Sequence, residues 1–152
     1  MKQLQDASKE LMDAVIFALN HSINLKRDGV DPMIPFAVVI KDAEKTIKAF
    51  LGDTPEYADH MFEKTIKDEK PDLVVYATDS YLTKEGIKYD AVLLKAYDKN
   101  DSEIYLIGQK FRAKTDTMDF EQIGNPGFLG TIINDLALPK PTNMRKPWWK
   151  FW

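Results

Sequence analysis

The stretch from Asp72 to Arg112, DLVVYATDSYLTKEGIKYDAVLLKAYDKNDSEIYLIGQKFR, sets the architecture. It holds three runs rich in β-branched and aromatic residues: Asp72 to Thr78, Ile87 to Tyr97 and Glu103 to Arg112. Such residues fit a pleated, half-buried surface. The separators, Lys84-Glu85-Gly86 and Asp98-Lys-Asn-Asp-Ser102, are built from turn formers,. Polar connections this short leave no room for a crossover, so the runs are antiparallel neighbours in a three-stranded meander.

Upstream, Thr54-Pro55-Glu56 reads as a helix start. Threonine can cap, proline suits the first turn, and the acid complements the helix dipole,. The apolar set Tyr57, Ala58, Met61, Phe62 and Ile66 follows at helical spacing, and Pro71 marks the end,. Before it, Met33 to Lys41 is a β-type run in which Ala37-Val38-Val39-Ile40 is apolar on both faces, as in a strand inside a sheet,. Asp42 to Lys45 resembles a hairpin loop, and Thr46 to Leu51 returns as a second strand. A first helix from about Gln5 to Lys26 carries a stripe of Leu11, Val15, Leu19 and Ile23 with Met12 and Ile16 beside it,. Gly29 can take the left-handed position after it. Downstream, Ala113 to Asn125 reads as irregular and Gly127 to Leu138 as a short helix, ended by Pro139 and Pro141.

The expectation is an α+β fold: an antiparallel sheet of about five strands, a two-stranded hairpin plus the meander, backed by two helices in the order α-β-β-α-β-β-β with the short C-terminal helix. Residues 1–138 form one domain and 139–152 a tail. This order of elements is similar to that of profilin-like domains, including the roadblock type of bacterial and eukaryotic scaffolding proteins. The similarity covers element order alone.

A chain of 152 residues suits a single core,. The pI near 5.4 argues against nucleic acid as a partner of the body, because phosphate binding needs a basic face,. The absence of cysteine excludes disulfides, thiolate catalysis and Cys-ligated zinc, and fits a reducing compartment,. The longest apolar run near the N-terminus, Ala14 to Leu19, follows three acids and makes a poor signal peptide,. No segment approaches the ~20 apolar residues that span a bilayer. The expected location is cytoplasmic.

Candidate chemistry is sparse. Glu56, His60 and Glu63 share one face of the second helix with Asp59 adjacent, a ligand set that a divalent metal accepts and the basis of an alternative reading as a metal-dependent enzyme,. The plainer account is a solvated helix face. His21 is the only other histidine. Ser80, His60 and Asp79 supply triad residue types, but no GxSxG elbow surrounds any serine,. Gly124, Gly127 and Gly130 could cradle a phosphate before a helix, though the spacing is neither that of a Walker loop nor GxGxxG,. Asp79 and Asp98 read as strand ends, and Asp90 as an outward residue beside Lys88. No cofactor is implied.

The ending Pro147-Trp-Trp-Lys-Phe-Trp152 holds all three tryptophans. Lys140, Arg145, Lys146 and Lys150 are its charges, with no acid; without them, seventeen cations face 24 acids in the body. Clustered tryptophan at a basic terminus points to contact. Arg145, Lys146, Trp148, Trp149, Lys150, Phe151 and Trp152 are therefore the expected partner-binding residues of a non-enzymatic binding or scaffolding module. Its partner is a second copy or another protein. A membrane surface is the alternative, since Trp and Lys both favour the interface.

Overall fold

The computed structural model describes residues 2–30, 32–52 and 54–136; the tail lies outside the described residues. The α+β class holds, with two α-helices and one antiparallel sheet of six strands. The elements are α1 (Lys9–Arg27), β1 (Phe36–Lys41), β2 (Glu44–Ala49), α2 (Pro55–Glu69), β3 (Leu73–Lys84), β4 (Ile87–Asp98), β5 (Glu103–Arg112) and β6 (Glu121–Ile133). The strand order is β2-β1-β3-β4-β5-β6. The hairpin therefore joins the meander through β1 and β3, and β1 is interior, as its two apolar faces required.

Local chemistry accounts for the boundaries. The Ser8 hydroxyl accepts from the Leu11 N–H to start α1. Gly29, at φ 88°, closes the helix, with its N–H and that of Val30 donating to the Lys26 and Leu25 carbonyls,. The Thr54 hydroxyl accepts from the Tyr57 N–H to cap α2. Asp42-Ala43 and Glu85-Gly86 turn the two tight hairpins with positive φ at both positions,.

The two helices pack on opposite faces. α1 buries Leu11, Ala14, Val15, Ala18, Leu19 and Ile23 against Val38, Val75, Leu94 and Ile107. The stripe is rotated from the expected one: Ala14 and Ala18 take the inner positions, and Ile16 is exposed. Small residues at the helix centre let it lie close on the sheet. α2 sets Ala58, Phe62 and Ile66 on Ala37, Val39, Val74 and Tyr76. The Phe62 and Tyr76 rings stack at 5.1 Å. Full burial of one such side chain stabilises by about 2 kcal/mol.

Two expectations at the C-terminal end are overturned. Residues 121–133 form a sixth strand, where irregular chain and a short helix were expected. The strand tolerates Pro126 because it lies at the sheet edge, and two register shifts against β5 absorb its glycines,. At one shift Gln109, fully buried, donates its side-chain amide to the Ile123 and Gly124 carbonyls at 3.1 and 3.2 Å and accepts from the Gln122 amide. That clamp holds an irregular strand in place.

A cleft at the free edge of β3

Strand lengths create the main surface feature. β1 pairs with β3 from Ile40↔Leu73 to Phe36↔Ala77 and stops there. β3 continues to Lys84, paired only with β4. From Thr78 onward its other edge has no strand neighbour, and a cleft of about 830 Å³ opens at that step.

Residues from both faces of β3 line the cleft. On the α2 side stand Phe50, Leu51, Ala58, Tyr76 and Thr78, with Asp59 at the rim; on the α1 side stand Lys26, Asp79, Asp90 and Phe111. The loop residues Met33, Ile34 and Pro35 close one end. Ile34 and Leu51 are exposed. Gly52 is required by packing: a Cβ there would lie 2.0 Å from the Tyr57 ring, which is 42% exposed although expected on the apolar face.

Two polar features mark this region. The Tyr76 hydroxyl is buried without a hydrogen-bond partner among the described residues. Burial, followed by the charge of Asp59, pushes the phenol well above its ordinary value, so it stays protonated,. The Asp59 carboxylate lies close enough to act on the phenol through its charge and as a nearby acceptor. Lys26 and Asp79 form the second feature, an ion pair at 2.8 Å whose side chains are 4% and 21% exposed. Asp79 also accepts from the Met33 N–H at 2.8 Å. It was expected to end a strand. It lies inside β3 instead, where the buried lysine and the loop amide satisfy it. Asp98 does end β4, and Asp90 is exposed on the face of Lys88 as expected.

A second surface lies beyond α2 on its own side of the sheet. The register places Leu82, Leu93, Leu106 and Ile132 on that face. A Cβ on Gly108 would touch Leu82, Leu93 and Leu129 together, so these three meet over the glycine. Leu129 and Ile132 are 46% and 43% exposed, and among the described residues no helix covers this half. The described chain ends beside it: Asn134 is tied by its side-chain amide to the Asp98 and Asp101 carbonyls, and Leu136 packs against the cluster that includes Tyr97 and Ile104.

The other sequence candidates are dispersed. Glu56, His60 and Glu63 are exposed on α2, and among the described residues no three His, Asp or Glu side chains converge to hold an ion. Ser80 and Asp79 are consecutive in β3 and so face opposite sides of the sheet, with His60 exposed on α2,. His21 packs edge-on against Phe36 at 4.9 Å. Gly124, Gly127 and Gly130 lie within β6 and do not precede a helix. No described helix is long and apolar enough to cross a membrane. The expected partner-binding residues Arg145 to Trp152 lie outside the described residues. The cleft escaped sequence reasoning because it arises from unequal strand lengths. The run expected to end at Thr78 continues as strand to Lys84, beyond the end of the six-residue β1.

Compared with protein-family models, with curated proteins and with solved structures, the chain matches none.

Proposed function

We propose that the protein is a non-enzymatic binding module that contacts a second copy or a partner protein, with the C-terminal Pro147–Trp152 segment as its main contact. The uncovered apolar half-face of Leu82, Leu93, Leu106, Leu129 and Ile132 carries the reading. A contiguous apolar patch on a folded domain marks a contact surface, and clustered tryptophans supply the large rigid area that contacts use. Leu136, on that same side of the sheet, packs against the cluster of Tyr97 and Ile104.

Sedimentation velocity over a wide concentration range, read beside tryptophan emission, tests this. The expected result is self-association that blue-shifts the emission and is lost on replacing Trp148, Trp149 and Trp152 by alanine, or Leu129 and Ile132 by lysine. A monomer with water-exposed tryptophans moves the contact to a different protein. A monomer whose tryptophans are already buried, at every concentration, overturns the tail as a contact to other chains.

A further inference from the structure

The cleft residues point to a second binding mode that uses neither the half-face nor the tail. The Phe50 N–H donates to the Pro35 carbonyl across the β1–β2 ladder. In an antiparallel pair such bonded positions alternate, so Ala37 and Val39 also face β2 while Phe36, Val38 and Ile40 face β3,. Their partners on β3 are Ala77, Val75 and Leu73. Continuing that parity, the backbone N–H and C=O groups of Asp79, Tyr81 and Thr83 point away from β4, toward the side where β1 has ended. Among the described residues no backbone group pairs with them. We propose that this edge receives an extended peptide of a partner protein as an added strand, its side chains alternating between basic and aromatic.

The side-chain chemistry follows from the two walls. An added strand lies in line with β1 and projects alternate side chains to the two faces of the sheet. One set meets Phe50, Leu51, Ala58 and Tyr76, an apolar wall suited to aromatic rings. The other set runs past Asp79, whose charge Lys26 already balances, toward Asp90, which is exposed and has no ion-pair partner among the described residues. Lysine or arginine fits there. The two outer edges are blunted against the same event. β2 carries Glu44, Lys45 and Lys48, while β6 carries Pro126 and two register shifts,. The inner edge from Thr78 to Lys84 carries Asp79 and Lys84, but no proline and no register shift.

Amide exchange on the full-length chain tests the pairing, with the synthetic peptide acetyl-Lys-Phe-Lys-Trp-Lys-Val-amide as probe. Saturable binding should slow exchange at Tyr81 and Thr83 by about tenfold or more and leave Ser80 and Leu82, already bonded to β4, unchanged. Tyr81→Pro removes the outward N–H without touching the β4 ladder and should weaken the probe by about tenfold, whereas Tyr81→Ala should not. Asp90→Lys should weaken it as well. Binding without protection at Tyr81 and Thr83, equal losses in Tyr81→Pro and Tyr81→Ala, or no binding would each overturn the proposal. Protection of both amides before peptide is added would overturn it too, by assigning the edge to a segment of the chain itself. None of these outcomes depends on whether the protein self-associates.

Discussion

Removing either member of the Lys26–Asp79 pair should destabilise the protein, and removing Asp79 should cost more. The Lys26 side chain is 4% exposed and that of Asp79 is 21%, so the ammonium is the more deeply buried charge. Breaking a buried pair by deleting one partner costs about 3–5 kcal/mol, because the surviving charge is left in a poor medium. Asp79→Leu removes a carboxylate that serves both the Lys26 ammonium and the Met33 N–H, two buried donors at once; about 3 kcal/mol is expected,. Lys26→Met leaves a carboxylate that is partly wetted and still accepts from the Met33 N–H, so about 2 kcal/mol is expected,. For a chain of this length 1 kcal/mol moves Tm by about 2–4 °C, so the first variant should melt about 6–12 °C lower. The double variant places two apolar side chains together and should fall short of the summed losses by about 2 kcal/mol. Urea unfolding followed by circular dichroism measures all four proteins. Additive losses, agreeing within about 0.5 kcal/mol, would refute the claim that the two charges stabilise each other at this wall of the cleft.

Three further outcomes are expected. Gly52→Ala should push the Tyr57 ring off the chain and cost about 1 kcal/mol in thermal unfolding, and Tyr57→Ala in the same chain should recover most of it,. Gln109→Leu removes the donor that holds the Ile123 and Gly124 carbonyls; a loss of about 2–3 kcal/mol is expected, with amide exchange rising first in residues 121–124,. Asp101 is buried enough to favour its neutral form, yet donors from Lys2, Tyr105 and the Glu103 N–H together hold its carboxyl below the ordinary 3.8. A lowered carboxylate contributes stability that is complete above 3.8 and disappears as the pH falls below it,. Tyr105→Phe should shrink that acid-dependent loss in urea midpoints, and an unchanged acid slope counts against the assignment.

The parts of the fold legible in sequence were those with one strong local signal. The meander announced itself through β-branched runs and polar turns, and α2 through Thr54 and Pro55 at its start. β6 stayed hidden because Gly124-Asn-Pro-Gly127 carries turn chemistry, while what holds it is a non-local clamp from Gln109. Asp79 misled for the same reason: its partners, Lys26 and Met33, lie far away in the chain. The cleft depends on register, which no window of residues contains. The half-face needed the knowledge that the α2 cluster takes in Tyr97 and Ile104 but not Leu82, Leu93 or Leu106, another long-range fact.

The position of β1 has a kinetic consequence. β3 meets β4 across the two-residue turn at Glu85-Gly86, so that hairpin can close as soon as its residues are made,. β1 must wait for β3, because Phe36 finds Ala77 only after the whole of α2 has intervened. Loop-closure entropy delays such pairings relative to neighbouring hairpins. During synthesis the chain therefore passes through an interval in which β3 displays its entire length, Leu73 to Lys84, as an unsatisfied border. Arrival of β1 seals the first five positions. What a mature molecule keeps at Thr78 to Lys84 is the remnant of that interval, and crowding or slow translation past residue 84 should make aggregation, rather than misfolding of the meander, the first failure of this protein.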